Sequence, residues 1–365
     1  MSKAAELAAL IGSQSSLANR NIIINGNMQV AQRGTSATGL GASSAFGTVD
    51  RFKWNTGNSA GRFTWTQEAI TDLEGFPSAT KLACTTADTS IASNEFGYII
   101  QKIEGLNLQR VQKGFSSAKA LTLSFYVKGN ASATYNVELY DTDNGRNITS
   151  SFAVTTSWVR QKITFPADTT GKFNNDNGQS LQLNFWLHAG SDYTGGTMQT
   201  SWGSITTNER ALGSTSFFDS TDRTFFLTGV QLEVGEVATP FEHESFADNL
   251  LRCQRYFYKF ISNHDYGPLG ANGMQINTNS TAGVMYQGQH PITMRAAPTM
   301  AYGGSWNPEV ATGTGTFALT GSVRTSTLFW QSQEPIPTSG ANDGYAAIVY
   351  AAGDDDAFLS GSAEI

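Results

Sequence analysis

The chain reads as all-β: two β-sandwich, jelly-roll-like domains, with a short helical arm at the N-terminus and a short helix between the domains. Three observations predict this. Glycine supplies 37 of the 365 residues, and Ser, Thr and Asn are abundant, as in chains of short strands joined by tight corners. Short segments alternate apolar and polar side chains, the period of a strand with one buried face. Between them lie turn clusters at 55–61 (NTGNSAG), 130–133 (NASA), 141–145 (DTDNG), 174–178 (NNDNG) and 191–196 (SDYTGG), rich in the residues that close turns.

Residues 1–19 form the arm. Ala4, Ala5, Leu7, Ala8, Leu10 and Ile11 suit a short helix, with Ser2 as N-cap and Gly12 as stop. A helix of about ten residues is marginal alone, so its apolar face needs a partner.

Residues 20–242 form the large jelly roll. Asn21 to Asn25 (NIIIN) is a short buried-type run, read as the first strand. Phe63 to Thr66 and Thr80 to Thr85 alternate. Leu121, Leu123, Phe125 and Val127 share one face, with Thr122, Ser124 and Tyr126 on the other. Tyr135, Val137 and Leu139 point inward, Asn136, Glu138 and Tyr140 outward. Trp158 to Phe165 is a further strand. The clearest alternation puts Leu181, Leu183, Phe185 and Leu187 inward and Gln182, Asn184, Trp186 and His188 outward. Phe225 to Glu233 closes the module. Two opposed antiparallel sheets use this pattern.

Residues 243–262 are a linker. A helix over His243 to Cys253 would put Phe246, Leu250 and Cys253 on one stripe, and Tyr256 to Ser262 reads as a strand. Residues 263–365 form the second, smaller β-sandwich. Its strands fall near Met274–Asn277, Ala282–Tyr286, Thr299–Tyr302, Phe317–Leu319, Thr327–Gln331 and Tyr345–Ala351. An acidic corner sits at 353–358, and a final strand at the closing AEI. No repeat of solenoid or propeller length is present.

Composition excludes several function classes. The net charge is −7 and the 23 basic residues are scattered, which disfavours nucleic-acid binding. No apolar run is long enough for a membrane span, so no membrane insertion is expected. No signal peptide is visible in MSKAAELAALIGSQSS, which places synthesis in a cytoplasm. Cys84 and Cys253 are then two buried free thiols.

Catalytic motifs are missing. His188, His243, His264 and His290 lie in no nucleophile-elbow or metalloprotease context. There is no zinc-spaced cysteine pair and no phosphate loop. DTDNG resembles the first half of a calcium loop, but position twelve would be Phe152 rather than Glu, so a plain turn is expected. Asp354, Asp355 and Asp356 read as a solvated corner. Glu138 and Asp141 lie near one strand, but nothing pairs them across a cleft as glycoside hydrolysis requires. No catalytic residue, cofactor or metal is therefore expected.

Three stretches together carry a resemblance: NRNIIINGNMQVAQRGTS (Asn19 to Ser36), DRF (Asp50 to Phe52), and FFLTGVQLEVGEVATPFEHESFADNLLRCQRYFY (Phe225 to Tyr258). The chain resembles appendage or fibre-like structural proteins of tailed, marine-type bacteriophages, which carry a jelly roll similar to carbohydrate-binding modules. The resemblance implies a non-enzymatic virion protein, most simply a tail fibre that attaches to host-surface glycan. It would be assembled in the host cytoplasm and exposed on the particle. A capsid-decorating or head-fibre protein is an alternative, and a tail-borne glycan hydrolase another. It implies a homotrimer, a state that the rings of Tyr256, Phe257, Tyr258 and Phe260 on both sides of one strand also favour. Residues 1–18 would attach the protein to other virion components. Such modules often hold calcium between an NGDFE-like opening and an acidic closing strand. Here Asn25-Gly26-Asn27-Met28-Gln29 and Thr228-Gly229-Val230-Gln231 replace or lose those carboxylates. Such modules bind glycans on one sheet through aromatic rings and polar groups. The outward residues Tyr126, Glu138, Tyr140, Asn184, Trp186 and His188 supply that mix. The same set would also suit a face covered by a long loop or a neighbouring subunit.

Overall fold

A computed structural model describes residues 19–262, 274–277, 283–304, 306–310, 313–314, 323–335, 347–351 and 356–365. The expected arm (1–18) and the strand expected at Phe317–Leu319 lie outside them. The chain divides into two compact units, Met1–Asn249 and Leu250–Ile365. Among the described residues no helix is long and apolar enough to cross a membrane.

The first unit is all-β. Its strands are β1 (Ser36–Leu40), β2 (Ala45–Phe46), β3 (Lys53–Gly57), β4 (Arg62–Ala69), β5 (Ser78–Thr86), β6 (Phe96–Glu104), β7 (Leu121–Gly129), β8 (Ala133–Asp141), β9 (Arg146–Val154), β10 (Val159–Phe165), β11 (Gln179–Ala189), β12 (Gly203–Ser204) and β13 (Thr224–Val234). They form a six-stranded sheet, β1-β4-β5-β13-β7-β10, and a seven-stranded sheet, β12-β9-β8-β11-β6-β3-β2. Every pairing is antiparallel.

The expected inward sets meet between the sheets. Leu121, Leu123, Phe125 and Val127 of β7 join Tyr135, Val137 and Leu139 of β8 and Leu181, Leu183, Phe185 and Leu187 of β11 in one core. Phe125 meets Phe185 edge-on at 5.1 Å, and Trp54 meets Phe63 at 4.8 Å. Each such side chain contributes roughly 1.5–3 kcal/mol by leaving water, so the face assignment of every strand is strongly fixed.

The run Asn21–Asn25 is not a ladder strand. It is irregular backbone held by amides. Asn21 Nδ2 donates to Val230 O (3.0 Å), while its Oδ1 accepts from Ile23 and Leu232 N–H. Gln101 brackets Ile24 through both its amide atoms. Asn25, at φ 60°, a region asparagine tolerates, donates to the carbonyls of Val30 and Asp50. Side-chain amides thus replace the missing strand partners of a buried segment.

The helix α1 (Ser191–Thr194) lies in the long β11–β13 connection, and α2 (Phe246–Gln254) begins three residues later than expected. Ser245 is the reason: its hydroxyl accepts the Asp248 N–H (3.1 Å) and donates to the Asp248 carboxylate, an N-cap. Of the expected stripe, Cys253 is buried while Phe246 is exposed. Both cysteines are buried, and burial pushes the Cys84 thiol up to about 11.

In the second unit, β14 (Phe257–Ile261) pairs with a strand at Phe358–Ser362, which also pairs with Thr299–Gly303. The final strand thus precedes the AEI terminus. A second sheet contains Met274–Asn277, Gly283–Gln289, Phe329–Pro335 and Val323–Thr325; a third contains Gly313–Thr314, Trp306–Val310 and Ala347–Ala351. Tyr256, Phe257 and Tyr258 are buried within the chain, and Tyr258 packs with Met294 and Ala363. Phe260 and Ile261 stay exposed.

Candidate functional site

Strand alternation puts Glu138, Tyr140, Asn184, Trp186 and His188 on the outer face of the seven-stranded sheet, as expected. Register brings them together: Asn184 lies opposite Glu138 and Gln182 opposite Tyr140 across β8–β11, and Trp186 lies opposite Tyr98 across β6–β11. The expectation of an open platform is corrected. Glu138, Asn184, Trp186 and His188 have no solvent exposure, and Tyr140 is half-buried. The connection from β11 to β13 folds back over the sheet and covers them. Thr215 N–H donates to Thr134 O, Phe217 N–H to Leu187 O, and Asn136 Nδ2 to Leu212 O. Tyr126 is corrected too: it lies on β7, in the other sheet.

Glu138 is the centre of the covered face. Arg210 grips it with two parallel hydrogen bonds of 2.8 Å, Nε to Oε1 and Nη2 to Oε2. Asn147 donates to Oε1 (2.8 Å), and Asn184 and Trp186 Nε1 donate to Oε2 (2.9 and 3.0 Å). Burial pushes the carboxyl up, but Arg210 and these donors hold it on balance below the ordinary carboxylate range. The Arg210 guanidinium also lies over the rings of Trp186 (4.8 Å) and Tyr140 (5.5 Å). Tyr98 and Tyr193 pack on Trp186 at 4.6 and 5.4 Å. Arg210 is the residue that sequence reasoning missed. The one signal for it is the unassigned stretch between β11 and β13, far longer than an ordinary strand connection.

Asp141 ends β8 and accepts from Asn144 N–H, so DTDNG closes the β8–β9 hairpin as a turn. Its carboxylate pairs with buried Lys113 at 2.5 Å, and Lys113 reaches Asp168 at 3.0 Å. Arg146 completes the group on Asp168 at 2.9 Å. Burial raises the Asp168 carboxyl, while Arg146, Lys113 and the Thr170 N–H bring it below its ordinary value. Both acids weighed for hydrolysis, Glu138 and Asp141, are therefore engaged by a cation of the chain.

The outer face of the six-stranded sheet is different. Here Tyr126, Trp158 and Phe226 are partly buried, with Tyr126 and Trp158 packed against Ile70, Phe76 and Ala79. Trp158 meets Phe226 edge-on at 6.1 Å, and Lys128 Nζ stands 4.9 Å from both ring centres. Lys81 lies 5.3 Å from the Phe226 ring. Asp72 accepts from Trp158 Nε1 (2.9 Å) and Lys128 Nζ (2.5 Å). Tyr126 extends the strip, against Phe76 at 5.2 Å and beneath Arg160 at 5.9 Å. Apolar rings with donors and acceptors at their edges are thus presented outward.

No protein-family model and no curated protein matches the chain. Solved structures similar to it are carbohydrate-binding modules. The N-terminal cellulose-binding domain of Cellulomonas fimi β-1,4-glucanase C is 15% identical, covering 51% of this chain and 90% of that one, with a TM-score of 0.27. A family 61 module solved with β-1,4-galactotriose is 8% identical over 59% of this chain and 99% of its own (TM-score 0.32). The tandem family 22 modules of Paenibacillus barcinonensis Xyn10C are 10% identical over 94% and 95% (TM-score 0.28).

Proposed function

We propose that this chain is a non-enzymatic structural protein of a phage particle, a tail fibre or similar appendage, whose first β-sandwich contacts host-surface glycan. The contact surface is the outer strip of the six-stranded sheet, around Trp158, Phe226 and Tyr126. One observation carries this reading: these rings stand partly exposed among Asp72, Lys81, Lys128 and Arg160, whereas Trp186, at the centre of the other outer face, is covered by the chain's own loop. A sugar ring stacks its apolar face on such a strip and bonds its hydroxyls to the flanking polar groups. The engagement of Glu138 and Asp141 by Arg210 and Lys113 supports a binding rather than a cleaving role. The particle assignment rests on the sequence resemblance. Weak contacts of this size act through many copies.

Full-length protein applied to an array of bacterial surface polysaccharides tests the reading, together with immunogold labelling of phage particles. Retention on a subset of glycans and label on the tail are expected. Label confined to the capsid shell, or retention on none of the glycans, contradicts it.

A further inference from the structure

Three buried side chains, His188 of the covered face among them, meet at one end of the first sandwich. Asp88 follows β5, Glu95 precedes β6, and His188 lies near the end of β11. One ligand atom from each lies within 4.8 Å of the other two, and all three residues are buried. His188 Nε2 is 3.1 Å from Glu95 Oε2. Ligands of a tetrahedral zinc ion sit about 3.3 Å apart, given Zn–N and Zn–O distances near 2.0–2.2 Å.

Charge sets this cluster apart. Glu138, Asp141 and Asp168 each face an Arg or Lys. Among the described residues neither Asp88 nor Glu95 has such a partner; the one ion-pair contact of Glu95 is His188 itself. Two carboxylates buried without a counter-charge are costly. A divalent ion would bring two carboxylates and a neutral imidazole to zero net charge.

The surroundings orient each group. Ala60 N–H binds Asp88 Oδ2 at 2.8 Å, and Ala92 N–H binds Glu95 Oε1 at 3.0 Å. Each carboxylate thereby keeps its second oxygen for the cluster. His188 Nδ1 is 2.8 Å from Ser216 Oγ, which leaves Nε2 directed at Glu95. A ligand imidazole is held in this way, by a partner on its other nitrogen.

We propose that Asp88, Glu95 and His188 bind a structural divalent transition-metal ion, with zinc the best match to one imidazole and two carboxylates. The ion joins the β5–β6 loop to the end of β11, and Ser216 of the covering connection holds the ligand His188. These segments already meet through Asp88 N–H to Phe218 O and Gly190 N–H to Glu95 O, both 2.8 Å. The proposal does not rest on glycan binding.

The test uses full-length protein stripped with a strong chelator, then given zinc, manganese or calcium. Metal content is read by mass spectrometry and melting by circular dichroism. The expected result is one zinc per chain and a rise in melting temperature of at least about 5 °C, both lost in Asp88→Asn/Glu95→Gln, a variant that keeps shape and removes charge. Should that variant not fold, His188→Gln is read the same way. Absence of stoichiometric zinc in the wild-type protein overturns the proposal and assigns the cluster a shared proton instead. Zinc binding and stabilisation unaffected by either variant overturn it equally.

Discussion

Glu138 accepts five hydrogen bonds, two of them from Arg210. Without Arg210 the carboxylate would be a buried charge lacking compensation. Arg210→Ala is expected to cost about 3–5 kcal/mol of unfolding free energy in denaturant titration. The Glu138→Gln/Arg210→Met double variant should lose much less, because it removes both charges. Acid should act through the same groups. The Glu138 and Asp168 carboxyls sit below their ordinary values in the fold. Their stabilisation is fully present above the unfolded-state pKa, about 4, and is lost as pH falls through the folded-state value. Melting temperature measured against pH should fall most steeply below about pH 4. A melting temperature that stays level to pH 2 would contradict the assignment.

At the scale of elements, the closing strand β13 shows what alternation can and cannot predict. Phe225 and Leu227 point into the core, yet so do Val230 and Leu232. Strict period two forbids this, and the pairing of β13 with β7 slips between Thr228 and Gln231 to allow it. Gly229 makes the slip possible at φ 61°; a Cβ there would stand 2.8 Å from Tyr126 and 2.9 Å from Phe76. Gly229→Val is expected to cost about 1–3 kcal/mol, read by thermal or denaturant melting. The inward sets of β7, β8 and β11 were legible because each strand carries one apolar face. Asn21–Asn25 was misread as a strand because its apolar composition hides that asparagine side chains, not a ladder, satisfy its backbone. The burial of Trp186 was not legible. Alternation says which face a residue takes, but not whether a loop of Ser, Thr and Gly returns over that face. Asp88 and Glu95 share the short β5–β6 connection, but His188 lies 93 residues beyond Glu95, and only the β6–β11 pairing brings it to them.

For the whole molecule, the first unit is a sandwich in which a long connection covers the centre of one outer face, while the other outer face presents partly buried rings. The second unit buries Tyr256, Phe257 and Tyr258, so those rings do not by themselves require other copies. Phe260, Ile261, Leu328 and Phe329 remain exposed. Light scattering of full-length protein is expected to give three times the 39.2 kDa chain mass; a monomer at micromolar concentration would refute the trimer. The central claim concerns which outer face meets glycan, and two tryptophans separate the possibilities. Trp186 is fully buried, so Trp186→Ala should cost about 3–5 kcal/mol of stability. Trp158 is only partly buried on the strip, so Trp158→Ala should stay folded. The most direct measurement is glycan affinity of Trp158→Ala beside wild type, on the same polysaccharide, with folding checked by circular dichroism. A loss of about tenfold or more in a folded variant is the result expected of a stacking ring. Unchanged affinity in a folded Trp158→Ala protein would contradict the claim.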